Sequence, residues 1–149
     1  MTSKTREMIL RANGLFLLTA GVSGIVNLDI PGIFFGVGAE AKLLNGAPYA
    51  GLGFLEAHGL AAIMGALLWD AAPQRKWHAT GAAVHLLLGT CNLVLWQGFV
   101  VSDTLAMGYV ATSFHWLFAA LQVSAWLAAP AAESSQFGST VTVPFRSQS

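Results

Sequence analysis

The chain has 149 residues, 55% of them hydrophobic and only 9% charged, and its seven basic and seven acidic side chains balance to zero. A soluble domain carries about a quarter charged residues, and binding nucleic acid takes a basic field, so this composition excludes a nucleic-acid partner and indicates a single membrane-embedded domain. Cys91 is the only cysteine, which excludes an intramolecular disulfide and a cysteine-based metal knuckle; within its apolar run it reads as a buried, inert thiol.

Charges cluster at residues 4–11, 29–42, 70–76 and 103 and in the tail, leaving apolar segments at 12–28, 50–69, 79–101 and 104–129. Each is close to the ~20 residues a helix needs to cross a ~30 Å hydrocarbon layer. The expected fold is all-α: an integral membrane four-helix up-and-down bundle over residues 1–129, with a polar tail over 130–149. The basic start followed by "GLFLLTAGVSG" has the look of a secretion signal but reads as the first membrane helix. After it comes "NLDIPGIFFGVGAEAKLLNGAPYAG", where Pro31 and the glycines are expected to break the helix into a partly membrane-seated outer loop. The connections "DAAPQRK" and "SD" are short, so the second, third and fourth helices are expected to be antiparallel neighbours. The tail, rich in Ser and Thr, should be disordered alone; docking on a membrane-protein partner, with "STVTVPF" adding as a strand, is one expectation for it.

Lys4, Arg6, Arg11, Arg75, Lys76 and Arg146 fall on one side of such a bundle, against Lys42, Asp29, Glu40 and Asp103 on the other. The positive-inside rule then places both termini in the cytoplasm. Trp69, Trp77 and Trp126 mark the inner interface, and Tyr49, Trp96 and Tyr109 the outer one.

Polar residues recur at the seven-residue spacing that keeps one helical face. The third helix carries His78, His85 and Asn92 with Gly81 and Gly89 beside them; the fourth carries Gly108, His115 and Gln122 with Ala111 and Ala119. Small and polar stripes of this kind face neighbouring helices in membranes. Counting from a turn centred at Asp103 sets His85 level with Gln122, and Asn92 level with His115. Counting from the inner loop sets Glu56 level with Asn92, and the first helix adds Asn27, or Ser23 a turn deeper. Two layers are therefore expected: an outer one of Glu56, Asn92, His115 and Asn27, and an inner one of His85 and Gln122. His78, beside Trp77, reads as interfacial.

A charged side chain at the bilayer centre costs about 2.5–3.5 kcal/mol. Glu56 is therefore expected to be protonated or paired with a donor such as His115, an arrangement for holding a ligand or handling protons; clasps between helices are the structural alternative, favoured for Asn92 and Gln122. His58 lies about 200° around the helix from Glu56, on a face with Gly51, Ala62 and Gly65, and reads first as a packed histidine and second as a ligand. Three chemistries suit such a layer. A pocket for a quinone-like lipophile fits best, with the acid, imidazole and amide holding a carbonyl. Haem held by His58 and His115 fits less well, since only Lys42 is available for its propionates. A metal site fits least, because no helix pairs His and Glu at three or four residues. Nucleophilic catalysis has no base-and-orienter chain to support it.

The run "EAHGLAAIMG", with Glu56, Gly59 and Gly65, and the proline soon after the first helix resemble the DoxX-like group of small four-helix bacterial membrane proteins over about residues 10–128. Leu60 follows Gly59 where that group has a second glycine. Members are associated with membrane redox complexes, including a quinone-reducing thiosulfate enzyme and oxidative-stress complexes. The resemblance implies an accessory membrane subunit near a quinone or redox partner, with Glu56 as the residue carried over. A scaffold subunit and a small transporter remain alternatives.

Overall fold

A computed structural model describes residues 1–130; the segment 131–149, with "STVTVPF" and the expected docking role, lies outside them. The described residues form only helices and their connections. Helix α1 (Ser3–Gly24) runs on into a π-helical stretch, Ile25–Phe34, followed by α2 (Gly38–Leu44), a 3-10 turn (Pro48–Gly51), α3 (Leu52–Asp70), α4 (Arg75–Val94), α5 (Trp96–Val101) and α6 (Leu105–Ala128). Three helical stretches are long and apolar enough to cross a membrane: Ser3–Phe34, Pro48–Asp70 and Leu105–Ala128. α4 is as long as α3, but its stripe of His78, His85 and Asn92, with Arg75 and Lys76, dilutes its hydropathy.

Three boundaries differ from those expected. α1 begins at Ser3, ahead of residue 12, because Thr2 caps it: its hydroxyl accepts the Thr5 N–H at 3.1 Å. Glu7 and Arg11, one turn apart at 2.7 Å, support the same polar start. Pro31 does not break the first helix, which carries it inside the π-helical stretch. Bonds running i→i+5 widen that turn, and so relieve the clash between the proline ring and the preceding carbonyls. The third predicted segment splits at Leu95 into α4 and α5.

The packing partners differ too. α3 and α4 are joined by a short connection, yet α3 packs mainly on α1, and α4 mainly on α6. Glycine sets the first of these contacts. A Cβ on Gly14 would stand 2.6 Å from the Trp69 backbone nitrogen, and one on Gly21 would stand 2.5 Å from the His58 carbonyl oxygen. Gly65 answers from α3, where a Cβ would strike the Leu18 backbone. The two helices thus run antiparallel with backbones in contact, the close approach that small residues permit. Leu10, Leu17 and Leu68 fill the seam, and Trp77, Val84 and Leu88 of α4 pack against them.

The outside of the molecule is apolar and much of the inside is polar. Leu60, Val94 and Leu127 are 66%, 75% and 67% exposed, while Asn13, Asp29, His78, His85 and Gln122 have no exposure at all. This is the reverse of a water-soluble domain and suits a hydrocarbon surround. Cys91, expected to be buried, is on the exposed side of α4. Arg75 lies 4.6 Å over the Trp126 ring, Lys76 lies 5.8 Å over Trp77, and Trp96 meets Tyr109 with centroids 4.9 Å apart at the other end.

Gly65→Ala should push α1 from α3 and lower stability by about 1–3 kcal/mol. Gly59→Ala, with open space where its Cβ would stand, should raise stability by about 0.5–1 kcal/mol through helix propensity. Thermal unfolding in detergent measures both.

Candidate functional site

Two polar clusters occupy the interior, one served by α1 and the other by its π-helical continuation. The first lies where α1, α4 and α6 meet. His85 Nε2–H donates to Asn13 Oδ1 at 2.7 Å, which leaves Nδ1 of a neutral His85 to accept from His115 Nδ1–H at 2.9 Å. Phe118 stacks on the His85 ring at 5.2 Å, and Phe16 lies against both imidazoles, at 6.0 and 5.8 Å. Two turns nearer the N-terminal end, His78 Nδ1–H donates to Gln122 Oε1 at 2.6 Å. Gly81 lies between the two bonded groups: the Asn13 and Gln122 amide nitrogens are each 3.0 Å from where its Cβ would stand. Beyond His78, Arg6 is buried at 6% exposure, with Nε and Nη1 lacking an acceptor among the described residues. Arg6, His78, Gln122, Asn13, His85 and His115 thus form one polar column through the helix interior.

Both predicted stripes face inward, but their register differs from the count. His85 pairs with His115 and His78 with Gln122, so both pairs are centred on residue 100 rather than Asp103. The cause is α5: the chain leaves the α4 axis at Leu95 and spends Trp96–Val101 on a separate short helix. His78 is therefore fully buried, not interfacial. Asn92, two turns beyond His85, is half-buried and does not join His115.

The expected outer layer does not form. Glu56 is exposed on α3 and does not meet His115. α3 buries the face that carries His58, Gly65 and Leu68 against α1, and a residue about 200° from His58 must then lie on the open side. Asn27 is exposed as well, and its amide bonds back to the Ser23 carbonyl at 3.0 Å and hydroxyl at 3.1 Å. His58 and His115 belong to helices that pack on different partners, so the pair considered for haem is not brought together.

His58 is instead part of the second cluster. Its ring lies over Gly24, where a Cβ would be 2.6 Å from Nε2, and its Nδ1–H donates to both carboxylate oxygens of Asp29, at 2.8 and 2.9 Å. Asp29 is fully buried in the π-helical stretch, and Glu40 of α2 is 4% exposed beside it. Gly32 makes room for Glu40, whose Cβ is 2.7 Å from where a Gly32 Cβ would stand. Burial first, then the facing Asp29 carboxylate, raises the Glu40 carboxyl from 4.5 to about 7. Among the described residues no group of three or more His, Cys, Asp or Glu is placed to hold a metal ion.

Sequence reasoning missed Arg6, Asn13, Asp29 and Glu40. The seven-residue rule applied to the first helix joins Arg6 to Asn13, and an acid inside the apolar run "NLDIPGIFF" carries the same signal that marks Glu56. The chain matches no family model, no curated protein and no solved structure.

Asn13→Ala should leave the His85 Nε2–H buried without an acceptor and cost about 1–3 kcal/mol. Glu56→Gln, on the exposed face, should change stability by less than about 0.5 kcal/mol. Thermal unfolding in matched lipid nanodiscs distinguishes them.

Proposed function

We propose that this protein is a four-helix integral membrane subunit, with both termini cytoplasmic in a bacterial inner membrane, whose buried histidines handle protons for a redox assembly. The reading rests above all on the bonded His85–His115 pair. Two imidazoles joined Nδ1 to Nδ1 pass an added proton by a short move, one releasing its Nδ1 proton as the other takes it up, and both are buried against Phe16 or Phe118. Intramembrane ionisable residues are costly and mark proton relays or ion paths by default. The basic inner ends of α1 and α4 support the orientation, and the resemblance to DoxX-like proteins supports the redox setting and a partner subunit. Neither asks this chain to catalyse a reaction itself.

A quinone-like lipophile is the second reading. An open groove of about 450 Å³ on α1 favours it, where Asn27 and Ser23 border Leu18, Val22 and Val26. It lies outside the histidine column, so the two readings separate experimentally.

The test uses the purified full chain in vesicles loaded with a pH-reporting dye, under an imposed pH gradient and a clamped potential. The wild type should dissipate the gradient faster than protein-free vesicles; His85→Phe and His115→Phe should fall to the protein-free rate, and Glu56→Gln should match wild type. Wild-type vesicles that behave like protein-free ones would reduce the histidine pair to a clasp between helices.

A further inference from the structure

The Asp29–Glu40–His58 cluster lies apart from the histidine column. Asn13 and Asp29 are sixteen residues apart on one continuous helical path, which at ~1.5 Å per residue is about 24 Å. The column does not use it, and its composition is unusual for a buried group. Two carboxyls face each other, and both Glu40 oxygens are buried without a donor among the described residues. An unpaired buried carboxylate is strongly disfavoured, so something must satisfy it.

Among the described residues the surroundings offer no fixed cation. The π-helical stretch has Asp29 as its only charged residue, α5 has none, and the Pro48–Gly51 turn has only Tyr49, which is 94% exposed. Lys42, on the same short helix as Glu40, is exposed. From α3, His58 faces the cluster while Glu56 points away. Among the described residues, the positive charge open to the cluster is therefore the one His58 takes up on protonation. Beside a neutral imidazole two carboxylates sum to −2, and one proton taken up through His58 and held between them halves that charge.

We infer that Asp29 and Glu40 share one proton and that His58 carries it to and from the end of the molecule away from the N-terminus, which makes this cluster a proton-binding site. The inference extends the proton-handling reading to a second place in the fold, and the site stands whether or not the histidine column conducts. In uptake, a proton binds His58 Nε2. The Nδ1–H bond then breaks as an O–H bond forms on Asp29, returning the imidazole to neutral. The Asp29 proton next passes to the facing Glu40 oxygen. Release is the reverse, and no electron moves in either direction. The arrangement matches the acid pairs in which like charges a few ångströms apart cannot both ionise. Glu40, raised to about 7, changes state in the range where a membrane site would exchange protons with its surroundings.

Because burial holds the Glu40 carboxyl above its ordinary value of 4.5, the neutral carboxyl is the form the fold favours. The hold of α2 on the π-helical stretch is complete below about 4.5 and weakens as pH rises through about 7.

Infrared difference spectra of the full chain in lipid nanodiscs test this directly, in a Glu56→Gln background that removes the exposed carboxyl two residues from His58. A protonated-carboxyl C=O band should be present at neutral pH and vanish as pH rises through about 7. Glu40→Gln should abolish it, and Asp29→Asn should shift it. As a second readout, amide exchange in Gly38–Leu44, corrected for intrinsic rate, should speed up across the same pH range in wild type but not in Glu40→Gln. A spectrum without such a band, or a band that survives Glu40→Gln, overturns the assignment. Neither measurement imposes a gradient, so this site and the vesicle flux succeed or fail separately.

Discussion

An imidazole with no water within reach must find its hydrogen-bond partners on other side chains, and that requirement organises this molecule. His85, fully buried, takes one partner from α1 and one from α6. Its bond to His115 lies within the α4–α6 pair, while its bond to Asn13 joins that pair to α1 and α3, which otherwise meet it through Leu10, Leu17 and Leu68 and through Phe16 against Phe114 and Phe118. Interhelical hydrogen bonds in a membrane average only about 0.6 kcal/mol, so the bonds specify the arrangement more than they stabilise it. The cost lies in breaking them, since a lone buried N–H has no substitute acceptor.

α1 can serve both pairs because its faces carry different residues. Gly14, Gly21 and Gly24 let the α3 backbone and the His58 ring come close. Arg6 and Asn13 face the other way, toward α4 and α6. The π-helical extension then carries the same path past Pro31 and delivers Asp29 to His58 and Glu40. One long helical path thus places two ionisable clusters at different depths. A helix ending at the predicted residue 28 would have left Asp29 in a loop, without the fixed geometry that its bonds to His58 require.

Much of this was legible in the sequence, and the failures have physical causes. Composition gave the helical, membrane-compatible character, and seven-residue spacing found the inward stripes of α4 and α6. The heights of those stripes were misread because the count assumed straight antiparallel arms, and the sequence around Leu95 has no proline or charge to announce the break. Glu56 was misassigned for a different reason. Its polarity was read as a demand for burial, whereas α3 has one main packing partner and that face belongs to His58, Gly65 and Leu68. The Asp29–Glu40 pair was hidden because acids next to a proline and glycines look like an ordinary loop, and a π-helical turn has no familiar sequence signature.

Nitrogen NMR on histidine-labelled full-length protein in nanodiscs tests the organising bond most directly. A coupling transmitted through a hydrogen bond between His85 Nδ1 and His115 Nδ1, lost in His115→Phe, is the predicted result. Two histidine rings that share no coupling, each exchanging with solvent on its own, would contradict the account.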